Sequence, residues 1–329
     1  MPVKGRILSG MRPTGRLHIG HLSVLQNWAA LQNEYECFYA IVDWHALTTS
    51  FDETSQIKEN IREMLLDWLS VGLDPAKSVL FIQSQVKEHA ELHLLLSMIT
   101  PVSWLERCPT YKDQVQQFGL EGKDISTYGF LGYPLLQAAD ILVYKADTVP
   151  VGEDQLPHLE LCREVARRFN YLYQVKLLPE PQARLARVPL LPGIDGRKMS
   201  KSYGNDIMIA ATPEEIRIKV RAMITDPARI HKTDPGHPEV CVAHKYYHVY
   251  AAEGLEEVET ACRQAAIGCV PCKERLAAVL EKTLAPYRER REELVASPGV
   301  LEDILAQGAE RARQVAGRTM TEVREAMGI

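Results

Sequence analysis

The chain has 329 residues, 46% of them hydrophobic and 25% charged, enough for about two domains with buried cores. No stretch approaches the roughly 18 apolar residues of a membrane span, and the opening MPVKGRILSG lacks the basic-then-apolar pattern of a secretory signal, so a cytoplasmic protein without membrane attachment is expected. A net charge of −5 offers no basic footprint for nucleic acid; such contacts must come from local patches, with candidates in Arg217, Lys219, Arg221, Arg229, Lys232, Arg288, Arg290 and Arg291.

Arg6-Ile7-Leu8-Ser9 predicts a short first strand, and Cys37 to Val42 and Val79 to Gln83, rich in β-branched and aromatic residues, predict two stronger ones. Residues 20–32 and 56–71 repeat apolar positions at three and four, the spacing of helices. Pro134 heads a helical run to Tyr144, Thr148 to Val151 is a fourth strand, and a helix follows over about His158 to Phe169. Strands alternating with helices predict an α/β fold with a doubly wound parallel sheet. After Pro192 only helices are predicted, over 213–223, 245–252, 255–266, 273–295 and 302–327. The loop at 192–205, rich in Gly and Lys, separates the two regimes and marks the domain boundary.

Pro13-Thr14-Gly15-Arg16-Leu17-His18-Ile19-Gly20-His21 follows the first strand directly and opens a helix. Two imidazoles three residues apart, near the positive end of a helix dipole and among glycines that permit close backbone approach, make a polyphosphate site. A strand-to-helix turn with capping histidines is the simpler alternative for a lone H-x-x-H. The second element is Lys198-Met199-Ser200-Lys201-Ser202, behind the glycine-containing run 191–197. Two ammonium groups on a mobile loop can close on a pyrophosphate leaving group and stabilise charge that develops only in the transition state.

A third element is a polar stripe. Tyr133, Gln137, Asp140 and Tyr144 fall at i, i+4, i+7 and i+11 and share one face of an otherwise apolar helix. The stripe is either solvated or a pocket wall in which the Asp140 carboxylate accepts a hydrogen bond from a buried substrate donor. An indole N–H and a phenol O–H are both such donors, so the helix leaves both open.

His18-Ile19-Gly20-His21 and Lys198-Met199-Ser200-Lys201-Ser202, about 180 residues apart, match letter for letter the two signatures of class I aminoacyl-tRNA synthetases, and the chain resembles that family. Cys37 to Thr49, Asp147 to Phe169 and Thr225 to Arg229 are similar to the tryptophanyl rather than the tyrosyl enzymes, and the likeness runs from Ile7 to Gly328. The resemblance implies a Rossmann-like catalytic domain over residues 1–192, the signature loop at 193–205, a helical anticodon-binding domain over 206–295, and a last helix, 296–329, packed back on the catalytic part. It implies a homodimer whose substrates are tryptophan, ATP with Mg2+, and tRNA. His18, His21, Lys198 and Lys201 would be catalytic; Arg12, Thr14, Gly15, Gly20, Gly152, Asp154, Met199, Ser200 and Ser202 would join them in holding ATP, with Asp154 at the ribose. Asp140 would bond the indole N–H, Tyr133 and Gln155 would hold the ammonium and carboxylate end with His45 nearby, and Leu8, Gln137, Val149 and Val151 would complete the pocket. Leu8 stands where many members have Phe, and Gln137 where many have Met, a feature shared with some tyrosyl enzymes. The alternatives are a tyrosyl enzyme and a nucleotidyl transferase of the same superfamily that does not use tRNA; the helical second half argues against the latter.

Seven cysteines in a cytosolic chain do not suggest a disulfide framework. Cys37, Cys108 and Cys162 are isolated and read as core residues, whereas Cys241, Cys262, Cys269 and Cys272 form C-x20-C-x6-C-x2-C within 32 consecutive positions, a metal-site spacing. Four thiolates suit tetrahedral zinc or an iron–sulfur cluster, and spacing does not choose between them; His244 and His248 are rival ligands. The chain also resembles a subset of bacterial tryptophanyl-tRNA synthetases with a 4Fe–4S cluster at such a quartet beside the anticodon-binding surface, which implies that cluster here, with a slightly shorter first gap.

Overall fold

The computed structural model describes residues 3–120, 122–185, 191–297 and 299–329, and of Pro109 and Thr110 only the helix they belong to. The five residues 186–190, inside the expected catalytic domain, lie outside the described residues. In chain order the elements are β1 (Arg6–Met11), α1 (Leu22–Leu31), β2 (Glu36–Ile41), α2 (Asp43–Ser50), α3 (Ile57–Val71), β3 (Ser78–Ile82), α4 (Glu88–Ser97), α5 (Val102–Glu106), α6 (Pro109–Leu120), α7 (Tyr128–Val143), β4 (Thr148–Val151), α8 (Leu156–Leu172) and β5 (Gln182–Leu185). Then come α9 (Pro213–Arg221), α10 (Val242–Tyr250), α11 (Leu255–Arg263), α12 (Cys269–Val295) and α13 (Val300–Met327).

The five strands form one parallel sheet in the order β3-β2-β1-β4-β5. Strand side chains alternate between the two faces: Cys37, Tyr39 and Ile41 join a core with α1, α3, α10 and α12, and Phe38, Ala40 and Val42 join a second core with α7, α8 and α13. The strand order reverses between β1 and β4, and in such a sheet the crevice at the strands' carboxyl ends at that reversal is where ligands bind.

The helix expected to begin at Pro134 instead begins at Tyr128, where Thr127 caps it by accepting from the Phe130 N–H at 3.1 Å. Pro134 sits inside the helix, and the cost of its missing N–H, about 3 kcal/mol, is offset by the burial of Phe130, Leu135, Ala138 and Ile141 along the same segment. Helices α4 to α6 and strand β5 carried no clear signal. In α4 Leu92 and Leu96 are buried but Leu94 is exposed, so no single stripe stands out, and β5 is a largely exposed edge strand of sequence QARL. The first helix opens through a 3-10 turn, Ile19–His21, rather than at Gly20, and α12 begins a turn earlier than expected, so that Cys269 and Cys272 lie on its first turn.

The helices after Pro192 are pinned to the sheet domain at two places. Gly308 and the buried Ala309, Ala312 and Ala316 form a small-residue face of α13 against β3 and the second core, and a Cβ on Gly308 would fall on the Leu80 carbonyl. Arg291 of α12, 8% exposed, pairs with Asp67 and Glu63 of α3, each at 2.6 Å, and so is no free surface cation of the kind expected for tRNA. The other Asp67 oxygen accepts from the Leu17 backbone N–H at 2.5 Å, immediately before His18.

Candidate active site

A cavity of about 390 Å³ opens at the carboxyl ends of β1 and β4. Leu8, Arg12, His45, Tyr133, Gln137, Asp140, Val149, Val151, Gly152 and Gln155 all line it, so the structure brings together every residue expected around the amino acid. Tyr144, the last member of the polar stripe, is fully buried behind the cavity; its hydroxyl bonds His89 Nε2 at 2.8 Å. The sequence reading missed Trp28 and Asn27 of α1, Phe130 of α7 and His158 of α8, which also line the cavity. The helix at 20–32 was expected, but nothing short of the tertiary fold marks α1 as a cavity wall, since its apolar residues read simply as core.

Asp140 is 3% exposed and is held from three sides. His45 Nε2 meets Oδ2 at 2.9 Å, His89 Nδ1 meets Oδ1 at 2.7 Å, and the Gln83 amide donates to both oxygens at 2.8 and 2.9 Å. Burial alone would raise this carboxyl, but the hydrogen bonds from His45 and His89 outweigh it and hold Asp140 below the usual carboxylate range, so it is ionised. A carboxylate offers about four acceptor positions, and four contacts fill them. Of the three partners, His45 lines the cavity while Gln83 and His89 stand behind Asp140. His45 is thus the partner of Asp140 that a donor in the cavity can reach. Gln83 and His89 were invisible in sequence because they come from β3 and α4 ends with no motif of their own.

A second chain of contacts leads from the cavity outward. The Tyr133 hydroxyl lies 3.0 Å from His158 Nε2, His158 Nδ1 lies 3.1 Å from Gln155 Oε1, and the Gln155 amide donates to Asp154 at 2.8 Å. Asp154 itself is exposed and lies beyond the cavity lining. Arg12 donates to the Thr49 hydroxyl and, at 3.4 Å, to the Ala46 carbonyl, so its guanidinium is aimed by α2.

The two signatures converge just beyond Arg12. The His18 and His21 rings are 3.9 Å apart. Burial, with the Lys201 charge for His18 and His18 itself for His21, lowers their pKa values to about 4 and about 3, so both are uncharged near neutrality. His21 Nδ1 is buried without a hydrogen-bond partner. Lys201 Nζ donates to the Thr14 carbonyl, and Gly15, at φ +82°, keeps the space beside it open: a Cβ there would lie 3.7 Å from Nζ and 2.8 Å from Asn60 Oδ1. The approach of the two segments is fixed by backbone pairing, with Ile19 donating to Ile207 at 2.8 Å and Ile209 to Leu17 at 2.9 Å. Met199 is buried against this junction, whereas Lys198 and Ser202 are exposed. Asn205, 2% exposed, anchors the loop by accepting from the Ser200 N–H and donating to the Lys198 carbonyl.

The four late cysteines are gathered from three elements: Cys241 caps α10, Cys262 is on α11, and Cys269 and Cys272 open α12. Burial comes first in raising the Cys262 and Cys272 thiols, the latter to about 11, and the neighbouring thiols add to it. Arg229 lies 3.9 Å from the Cys262 sulfur. His244 and His248 turn instead to Glu259. Cys37, Cys108 and Cys162 are buried in the cores.

Residues 3–285 match a family model described as class I tRNA synthetases for W and Y. A tryptophan–tRNA ligase of Thermotoga maritima is 54% identical over 98% of this chain and 99% of its own length. A crystal structure of tryptophanyl-tRNA synthetase from Campylobacter jejuni, complexed with ADP and tryptophan, superposes with a TM-score of 0.88 at 33% identity, covering 98% of this chain and 100% of that one. Tyrosyl-tRNA synthetase from Archaeoglobus fulgidus shares the fold, with a TM-score of 0.65 over 87% of this chain and 90% of that one, at 23% identity. Architecture therefore cannot separate the two amino acids, but identity over nearly the whole length does: the chain belongs to the tryptophanyl-tRNA synthetases of the class I family.

Proposed function

We propose that the cavity holds tryptophan, with Asp140 accepting from the indole N–H, and that the converging signatures hold the phosphates of ATP. The protein is a tryptophan–tRNA ligase. It activates tryptophan with ATP and passes it to tRNA. The observation that carries the binding mode is the ionised Asp140, preorganised by Gln83 and His89 on the wall of a cavity whose lining, among the described residues, holds no other carboxylate. Leu8, Val149 and Val151 pack the ring, Gln137 lies along it, and Tyr133 and Gln155 take the ammonium and carboxylate end.

In the first step the tryptophan carboxylate attacks the α-phosphorus and pyrophosphate leaves. Uncharged His18 and His21 donate N–H groups to phosphate oxygens. Lys201, and Lys198 once its exposed side chain swings in, place positive charge where the leaving group gains negative charge. Arg12, Thr14, Gly15, Gly20, Gly152, Met199, Ser200 and Ser202 shape the nucleotide's surroundings, with Asp154 at the ribose. No protein atom becomes covalently bonded; the site positions reactants and stabilises charge. Mg2+ enters with ATP as part of that substrate.

Residues 1–192 form the catalytic domain, 193–205 the signature loop, 206–295 the anticodon-binding domain, and 296–329 the helix that returns to the sheet. Among the described residues no helix is long and apolar enough to cross a membrane, and we place the enzyme in the cytoplasm as a homodimer. Cys241, Cys262, Cys269 and Cys272 suit a 4Fe–4S cluster, which would tie α10, α11 and α12 together as a structural clamp. The fit rests on the donor set, four thiols brought from three elements with Cys241, Cys262 and Cys269 near enough to Cys272 to raise its thiol, and four thiolates suit zinc as well.

ATP–pyrophosphate exchange measured with each of the twenty amino acids tests the substrate. Exchange with tryptophan and rejection of phenylalanine are expected, and exchange supported by tyrosine instead would sink the binding mode. Iron and sulfide in stoichiometric amounts in anaerobically purified protein test the cluster; one zinc per chain would replace it.

A further inference from the structure

We propose that His244, His248 and Glu259 form a separate binding site for a divalent transition-metal ion, with zinc the best match. His244 and His248 lie one turn apart on the same face of α10, and Glu259 reaches them from α11. One imidazole nitrogen from each histidine and one carboxylate oxygen all lie within 4.8 Å of one another, and no other such set of three occurs among the described residues. His244 Nε2 is 2.5 Å from Glu259 Oε1, and His248 Nε2 is 3.9 Å from the same oxygen. Ligands of a tetrahedral ion at about 2.0–2.1 Å stand roughly 3.3 Å apart, so an ion needs His244 and Glu259 to part, and His248 to draw in, by less than about 1 Å each.

The donor set decides the class of ion. Two imidazole nitrogens and one carboxylate oxygen suit zinc and its neighbours, whereas magnesium and calcium take oxygen almost exclusively. The His244 side chain is 13% exposed and that of His248 55%, so the site is buried on one side and open on the other, which leaves a fourth position for water. A plain hydrogen bond joins His244 to Glu259, and the His248 ring, packed edge-on against His244 with centroids 4.6 Å apart, brings a third donor atom to the same carboxylate. An ion here would join α10 to α11, the helices that carry Cys241 and Cys262, each three residues from a ligand of the new site. It would stiffen the frame of the quartet whatever the thiols hold.

The test uses the full chain, freed of loosely bound metal by chelation. It is titrated with Zn2+ by calorimetry and with Co2+ by visible absorption, alongside His248→Ala, Glu259→Gln and Cys241→Ser. The parent should take up one equivalent whose Co2+ form shows d–d absorption without a thiolate charge-transfer band. Affinity for that equivalent should fall at least about tenfold in His248→Ala and Glu259→Gln and persist in Cys241→Ser. In the Cys241→Ser background, zinc should also raise the unfolding midpoint, and should not do so once His248→Ala is added, whose exposed position lets the variant fold normally. A parent with no such equivalent, unchanged affinity in both variants, or its loss in Cys241→Ser would each overturn the proposal.

Discussion

At the end of the crevice proposed for the amino acid Asp140 is held by three side chains, whereas at the end proposed for the phosphates His21 Nδ1 is buried without a partner and the Lys198 side chain stands in solvent. The difference follows from what each end must do. Selecting one side chain from its isosteres is served by an acceptor that is already placed and desolvated, so that only a ligand bringing its own donor can compete with His45 for it. Stabilising a leaving group is served by charge aimed at where negative charge develops: Lys201 is already held at the Thr14 carbonyl, while His21 Nδ1 has no partner and Lys198 is exposed. Preorganised side-chain bonds therefore concentrate on α7 and its neighbours, while the loop is held through Asn205, Lys201 and buried Met199 and leaves Lys198 exposed.

Four tests would sharpen or break this contrast. Asp140→Ala should reduce kcat/KM for tryptophan by about 10⁴-fold, measured by pyrophosphate exchange, because the indole N–H loses its acceptor and His45, Gln83 and His89 lose theirs. A loss under about tenfold would mean that Asp140 does not read the indole.

Arg291→Ala removes the cation paired with buried Asp67, and unpairing such a charge typically costs about 3–5 kcal/mol. Denaturant unfolding should show it. Since Asp67 also holds the Leu17 N–H, adenylate formation should slow even under conditions where the variant is folded. Unchanged stability would show that the pair is replaced by water.

Lys201→Ala and Lys198→Ala should each slow adenylate formation by about 10²- to 10³-fold while leaving tryptophan affinity within a few-fold, the pattern of a contact made only in the transition state. Equal losses in rate and in tryptophan binding would erase the distinction between the two ends.

The smallest effect concerns pH. The folded-state pKa values of His18 and His21, about 4 and about 3, lie below the ordinary histidine value of 6.5, so the unfolded chain binds more protons across that interval. The sign is then fixed: stability contributed by these neutral imidazoles is complete above about pH 6.5 and is lost as pH falls toward 4. The thermal midpoint should decline over that window, and His21→Asn should flatten the decline. A variant with the parent's slope would place the titration elsewhere.

Much of this was legible in one dimension because it rests on local rules. Strands β2 and β3 announce themselves through β-branched and aromatic runs, and the two signatures announce phosphate chemistry through residue type and spacing. The stripe of Tyr133, Gln137 and Asp140 follows from helical periodicity alone. What the chain could not reveal locally is everything that depends on residues distant in sequence meeting one another. Gln83 and His89 become partners of Asp140 only because β3 and α4 pass behind α7, and Arg291 ceases to be a surface cation only because α12 lies on α3. Pro134 within α7, the exposed edge strand β5 and helix α4 without a single apolar face were likewise settled by packing, where burial against neighbours outweighs the propensities that short segments carry.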